Sequence, residues 1–289
     1  MASIRQLKSR IRSVKNTKQI TKAMQLVAAS KMRRAQEADK ASAPYTQAAS
    51  ELLTYFVSQG VTAEHPLFQA REVKSRLLIV IAADKGLVGA YNSNIMKAYL
   101  RELQKDDKSG VKNTTIAIGR RVSQLATRLK NTDIAGVYTN LPDKPTGGEL
   151  TAIMDMAQGM FIEGKVDAVD VIYTEFINSI RQEVTMKRVL PAGFTATEVS
   201  TEVRDALYEP SIQVVLDGVA RRLVEAQIFQ ALLDSKASEY SMQMVAMKNA
   251  TDNASDLADD LTLAMNKVRQ GAITQELAEI SGGVEAMSE

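Results

Sequence analysis

Residues 211–280 read SIQVVLDGVARRLVEAQIFQALLDSKASEYSMQMVAMKNATDNASDLADDLTLAMNKVRQGAITQELAEI, and their periodicity decides the fold. Stepping alternately by four and three from Ile212, the chain visits Leu216, Val219, Leu223, Ala226, Gln230, Leu233, Ala237, Tyr240, Met244, Met247, Thr251, Ala254, Ala258, Leu261, Met265, Val268 and Ala272. Only Gln230 and Thr251 break the apolar stripe. A sustained 3.5-residue repeat is the mark of a helix whose seam faces another helix along its length. No proline follows Pro210 before the tail, and at 1.5 Å per residue the segment makes roughly 105 Å of helix. A helix that long must protrude, pair or span something.

Working outward, residues 1–59 carry a second helical pattern. Ile4, Leu7, Ile11 and Val14 stand at helical spacing, and Ile20, Met24, Val27 and Met32 continue it. Pro44 is expected to kink that helix or restart it, because proline removes an intrahelical hydrogen bond, and Gly60 ends it. Residues 70–200 alternate instead. Strands are expected at Arg76–Ala82, Thr114–Ile118, Ile134–Tyr138, Ala168–Phe176 and Glu183–Leu190, with helices at Asn94–Lys105, Arg120–Lys130 and Gly148–Glu163. That order predicts an α/β domain on a largely parallel sheet. The expected divisions are therefore 1–59, an inserted α/β domain 70–200, and a long helix 208–289. Helix, domain, helix most simply gives an antiparallel two-helix coiled coil with a Rossmann-like domain inserted at one end. Heptads do not say whether the partner is internal, so a homodimeric coiled-coil scaffold with a ligand-binding α/β domain stays open at this point.

Composition narrows the chemistry. With no cysteine there is no disulfide, thiolate metal site or cysteine nucleophile. The longest clean apolar run, Leu77–Ala83, falls far below the ~20 residues that cross a bilayer. His65 is the sole histidine and stands next to Pro66 in an expected loop, which speaks against a catalytic Ser–His pair and removes a multi-histidine metal site. The turn Asp84-Lys85-Gly86-Leu87-Val88-Gly89 follows the first strand, where α/β folds hold ligands. It matches neither a dinucleotide fingerprint nor a phosphate-binding loop, and it reads as a strand–helix connection. Asp155, Glu163, Asp167 and Asp170 lack metal-ligand spacing and read as solvated surface. No catalytic constellation emerges, and no cofactor or metal is expected.

The formal charge of +2 hides a polarised layout. Residues 1–40 hold eleven Lys and Arg against Glu37 and Asp39, while residues 251–289 hold eight acidic residues against Lys267 and Arg269. Asp252, Asp256, Asp259 and Asp260 are expected beside the early basic turns, choosing register rather than supplying stability, since exposed pairs contribute only ~0–1 kcal/mol. A nucleic-acid reading of the basic arm has little behind it. No aromatic residue stands among those basic residues before Tyr45, and no base-reading motif is present.

Residues 11–36, IRSVKNTKQITKAMQLVAASKMRRAQ, resemble the N-terminal signature of the gamma subunits of F-type ATP synthases. AMKNATDNASD at 246–256 and RQGAITQELAEI at 269–280 resemble their C-terminal signature, while DKGLVGAYN at 84–92 and YEPS at 208–211 fall on two further family motifs. The resemblance covers essentially the whole chain. It implies a non-catalytic central-stalk shaft whose terminal helices lie within a ring of three alpha and three beta subunits, one copy per complex. The α/β domain then meets the epsilon subunit and the c-ring, and ion flow through the membrane sector turns the shaft. The location implied is peripheral to the inner face of the bacterial plasma membrane, on the cytoplasmic side, without insertion into the membrane. Carried over residue by residue, Met24, Arg269, Gln270, Thr274 and Glu276 stand at the rotor–stator contact, and Tyr208 and Glu209 on the c-ring side. Three positions depart from the family pattern. Gln243 replaces a usual arginine, Val88 a usual cysteine, and Met265 an aromatic residue.

Overall fold

The protein is described by a computed structural model covering residues 3–129, 132–143, 148–193 and 196–288. Two long helices bracket the chain, α1 (Ile4–Ser58) and α6 (Ile212–Ser288). Between them run β1 (Ser75–Ile81), α2 (Tyr91–Ser109), β2 (Lys112–Ile118), α3 (Arg120–Ala126), β3 (Asp133–Tyr138), α4 (Gly148–Ile162), β4 (Ala168–Phe176), β5 (Gln182–Leu190) and α5 (Thr201–Asp205). Every strand expected from the sequence is present, with its ends within two residues. The expected limits at Met1, Lys130 and Glu289 lie outside the described residues, and α3 ends at Ala126. Residues 1–28 with 244–289 form one compact unit, and residues 29–243 form a second.

In the second unit the sheet order is β3-β2-β1-β4-β5, parallel except for the antiparallel β4–β5 pair. Ile79 lies opposite both Ile116 and Val171. The central strands carry runs such as Leu77–Ile81 and Val171–Tyr173, apolar on both sides because both faces of the sheet are covered. Leu78, Val80 and Ile172 pack under Tyr91, Ile95, Tyr99 and Val122 of α2 and α3. Leu77, Ile79, Val169 and Val171 pack under Leu150, Ile153 and Phe161 of α4 and under Val224, Ile228 and Leu232 of α6. The long helix therefore has a second buried face, beyond the seam, over this stretch. Ala49, Leu53 and Phe56 of α1 pack on Leu216 and Leu223 of α6, with Tyr208 beside them.

In the first unit the two helices run antiparallel. Lys18 Nζ donates to Ser255 Oγ at 2.9 Å, and the hydroxyls of Thr21 and Thr251 are bonded at 2.8 Å. Thr251, which interrupts the apolar stripe, is thus a buried and satisfied seam residue. Leu7, Ile11 and Ala28 are buried on the α1 side, and Met247, Ala254 and Ala258 on the α6 side.

Not all of the apolar pattern of α1 faces α6: Ile20 is 60% and Val27 55% exposed, and the small residues Thr21 and Ala28 take the seam positions. Stepping by 3.5 from Leu7 and Ile11 reaches Thr21 and Ala28, and small side chains let the helices approach closely. Pro44 lies inside a continuous α1. It is exposed, and packing of Ala35 before it and Leu53 after it outweighs one lost backbone bond. Among the described residues, no ion pair joins Asp252, Asp256, Asp259 or Asp260 to the early basic turns; the register is carried by hydroxyl and ammonium hydrogen bonds.

Candidate functional site

An α/β sheet of this order holds ligands in the crevice at the carboxyl ends of its strands, where the order turns back between β1 and β4. Here α6 fills that crevice. Thr174 N–H, near the end of β4, donates to Ser235 Oγ at 3.3 Å, and Ser238 Oγ donates to the Thr174 carbonyl at 3.1 Å. Met242 packs on the cluster containing Val88 and Tyr91. The buried Tyr91 hydroxyl is pushed well above its ordinary value by burial and the charge of Glu239, against a hydrogen bond with Ser235.

The Asp84–Gly89 turn is held as a connector. The Asp84 carboxylate accepts the backbone N–H groups of Arg120 and Asn140, each at 3.0 Å, and Asn92 Oδ1 accepts that of Ala83 at 3.0 Å. Gly119 closes the same end of the sheet. Its φ is +101°, and a Cβ there would stand 2.0 Å from the Ala82 carbonyl oxygen. His65 is likewise structural. Its Nδ1 accepts the Leu67 N–H at 3.3 Å, and its Nε2 lies 3.4 Å from the Asp217 carboxylate.

Charged side chains tie the helices to this domain. Lys31 Nζ of α1 is 2.6 Å from the Asp143 carboxylate, which also accepts the Tyr240 hydroxyl of α6 at 2.5 Å. Burial raises the Asp143 carboxyl, but the hydrogen bonds from Lys31 and Tyr240 outweigh it and hold it below its usual range. Glu239 is driven upward by burial; Lys236, 3.4 Å away, opposes that, while Asp84 and Asp143 add to it.

The acidic residues read as solvated surface divide. Asp155 and Glu163 are exposed. Asp170 is 1% exposed, and its carboxylate is held by Arg76 Nη1 at 3.2 Å and Arg188 Nε at 2.5 Å. Arg76, itself buried, also pairs with Glu102 and Asp106 of α2. Asp167 accepts the backbone N–H groups of Lys74 and Ser75, both at 2.9 Å. Both corrections share one reason: the partners lie far away in sequence, and spacing along the chain does not reveal them.

The residues carried over from the family lie mainly on the surface of the first unit. Arg269, Gln270, Thr274 and Glu276 are exposed on α6, with the Thr274 hydroxyl donating to the Gln270 carbonyl at 2.9 Å. Continuing the register of the Lys18–Ser255 and Thr21–Thr251 pairs sets Ile4 level with about residue 268, so these four stand on helix beyond the paired stretch. Met24 is half-buried. Around them Ile20, Leu26 and Val27 of α1 and Leu257, Leu263, Ile273, Leu277 and Ile280 of α6 are exposed, Leu263 at 69%. So many large apolar side chains on a charged helical surface are the pattern expected of an interaction face. Tyr208 and Glu209 separate. The Tyr208 ring stacks on Tyr55, centroids 5.8 Å apart, and its hydroxyl donates to the Val203 carbonyl at 2.5 Å, while Glu209 is exposed.

Residues 3–287 match the ATP synthase family. The ATP synthase gamma chain of Stenotrophomonas maltophilia is 38% identical over 288 residues, 99% of this chain and 100% of that one. That of Ralstonia nicotianae is 39% identical over 292 residues, with the same coverage. The chain belongs to the ATP synthase gamma-chain family. Solved structures share its fold at lower identity. A chain of the Euglena gracilis mitochondrial ATP synthase OSCP/F1/c-ring structure matches with a TM-score of 0.66 at 18% identity, covering 98% of this chain and 94% of that chain. One from the Tetrahymena thermophila mitochondrial central stalk and c-ring matches at 0.59 and 23% identity, covering 80% and 99%. As a gamma chain it is a subunit of ATP synthase, and the homodimeric-scaffold alternative is not favoured. The three departures from the family pattern fall on distinct environments: Val88 is buried in the α2 side of the domain core, while Gln243 and Met265 are half-buried on α6. Among the described residues no helix is long and apolar enough to cross a membrane.

Proposed function

We infer that this gamma chain is the non-catalytic rotor shaft of an F-type ATP synthase, coupling ion-driven rotation of the c-ring to ATP synthesis or hydrolysis on three beta subunits. The observation that supports this most is the exposed apolar surface of the first unit, from Ile20, Leu26 and Val27 to Leu263, Ile273 and Leu277. A protein free in water rarely leaves that much large apolar surface uncovered on a helix pair, whereas a shaft inside a ring has it covered. The seam beneath is already filled by α1 and α6 of the same chain, so the exposed side chains await other subunits.

In this reading one copy serves three alpha and three beta subunits. Arg269, Gln270, Thr274, Glu276 and Met24 meet the ring, and the α/β domain meets epsilon and the c-ring. Glu209 fits the c-ring side better than Tyr208, whose hydroxyl is already engaged within the chain. The divisions 1–59, 70–200 and 208–289 are the corresponding working parts. The chain would stand peripheral to the cytoplasmic face of a bacterial plasma membrane, with none of its segments in the bilayer. The two helical faces differ in charge and shape, so three beta subunits meet three different surfaces. Rotation then shifts which conformer each site favours.

Mixing the purified chain with alpha and beta subunits of the same organism tests the reading. One copy per three alpha and three beta, with a marked rise in ATP turnover, is the expected result. A chain that remains apart from the ring and leaves turnover unchanged would overturn it.

A further inference from the structure

A cavity of about 380 Å³ lies between α1, α6 and the β4–β5 turn, lined by Gln36, Asp39 and Lys40, by Phe176–Ser179, and by Asp234 and Ala237. It belongs wholly to the second unit, and neither the shaft function nor the filled crevice uses it. Two carboxylates from different helices share its wall. Asp234 also feels Glu175 of β4 and Lys187 of β5, accepts a hydrogen bond from the Phe176 backbone N–H, and acts in turn on Tyr173. Lys40 stands on the α1 side; Lys236, nearby on α6, is engaged with Glu239. Among the described residues, an ionised Asp234 is opposed by the carboxylates of Asp39 and Glu175 and favoured by the Lys187 ammonium.

We propose that this cavity is a proton-linked joint: a proton on Asp234 lets α1 close against α6, and its loss sets Asp234 against Asp39 across the cavity and loosens α1 there. The surroundings support it from two sides. Burial, Asp39 and Glu175 push the Asp234 carboxyl up to about 7, against Lys187 and the Phe176 N–H, and burial raises Asp39 as well. The hydrogen bond from Phe176 persists in either state, since a carboxylic acid still accepts through its carbonyl oxygen. What the proton changes is the repulsion between α1 and α6. A joint of this kind makes the compliance of the helix pair depend on the pH around it.

Hydrogen–deuterium exchange on the full chain, compared with Asp234→Asn at each pH so that intrinsic rates cancel, tests the joint without any partner subunit. In α1 residues 33–41, the wild-type-to-variant ratio of exchange rates is expected to rise at least roughly tenfold between about pH 4.5 and about pH 7.5, then level off. Asp39→Asn, which removes the opposing carboxylate and leaves Asp234 and its burial in place, is expected to cut that rise by at least about twofold. It carries the test alone should Asp234→Asn not fold. A ratio that does not change with pH, or an undiminished rise in Asp39→Asn, overturns the proposal.

Discussion

Replacing Arg76 with methionine is expected to destabilise the chain by about 3–5 kcal/mol, the cost of leaving buried charge unpaired. Arg76 sits at the start of β1, 5% exposed, and reaches carboxylates on two other elements: Glu102 and Asp106 of α2, and Asp170 of β4. Methionine matches the length of the arginine stem, so the packing loss is small and the electrostatic loss dominates. Asp170 retains Arg188, with contacts of 2.5 and 3.1 Å, whereas Asp106, nearly as buried, is bridged among the described residues only to Arg76. The penalty therefore falls chiefly on Asp106. Urea unfolding of the full chain at neutral pH, followed by circular dichroism, reads it directly. Adding Asp106→Leu to Arg76→Met removes the stranded charge and is expected to recover at least half the loss, because a buried ion pair replaced by apolar groups of similar volume is often neutral. A single variant within about 1 kcal/mol of wild type would show that water already reaches these carboxylates. A double variant as unstable as the single one would show that packing, not unpaired charge, carries the effect.

In the first unit, Thr251→Val is expected to cost only about 0.5–1.5 kcal/mol, because it removes one hydrogen bond across the seam while the Thr21 hydroxyl keeps the Lys18 carbonyl at 3.1 Å; thermal unfolding reads it, and a loss of about 3 kcal/mol would refute the reasoning. Gly119→Ala is expected to cost about 3 kcal/mol or more, since its Cβ overlaps the Ala82 carbonyl at a positive φ; poor soluble yield or a lowered urea midpoint would show it. Asp234 gives stability a definite pH sense. Its folded value, about 7, lies above the free value of 3.8, so its stabilising contribution is complete below the free value. It is lost as pH rises toward 7, by at most about 4 kcal/mol at 1.36 kcal/mol per pH unit. The urea midpoint of Asp234→Asn should gain on wild type over that range and run parallel above it. For the proposed shaft, Arg269→Ala and Glu276→Ala are each expected to weaken assembly with alpha and beta subunits about tenfold while leaving unfolding within about 0.5 kcal/mol, because both side chains are exposed.

Much of this architecture was legible in the chain. Leu77–Ala83 is an apolar run, and Ala168–Tyr173 is one but for Asp170, because strands buried on both faces need no alternation, and their strands were placed almost to the residue. The seam of α6 was legible through Leu216, Leu223, Leu233, Tyr240 and Met247, all buried. Less was legible where one residue serves two neighbours. Between Ala220 and Ser241 the helix is buried on the sheet side as well as along the seam, and Ser235, Ser238 and Glu239 look like the polar face of a simple coiled coil until the sheet is set against them. The α1 seam was less legible for the opposite reason, since hydrophobicity points to Ile20 and Val27 rather than to the smaller Thr21 and Ala28 that allow close approach.

The sequence by itself determined that two long helices flank a mostly parallel sheet, because periods of 3.5 residues and unbroken apolar runs are local consequences of backbone geometry. It also determined family membership, through signatures near both ends. The tertiary structure alone decided which charges are buried and which surfaces stay open. Arg76 meets Asp170 across 94 residues of chain and Lys31 meets Asp143 across more than a hundred; α6 closes the sheet crevice from outside the α/β segment, and large apolar side chains remain exposed on the first unit. Such pairings depend on where whole elements come to rest, and a one-dimensional pattern carries no term for that.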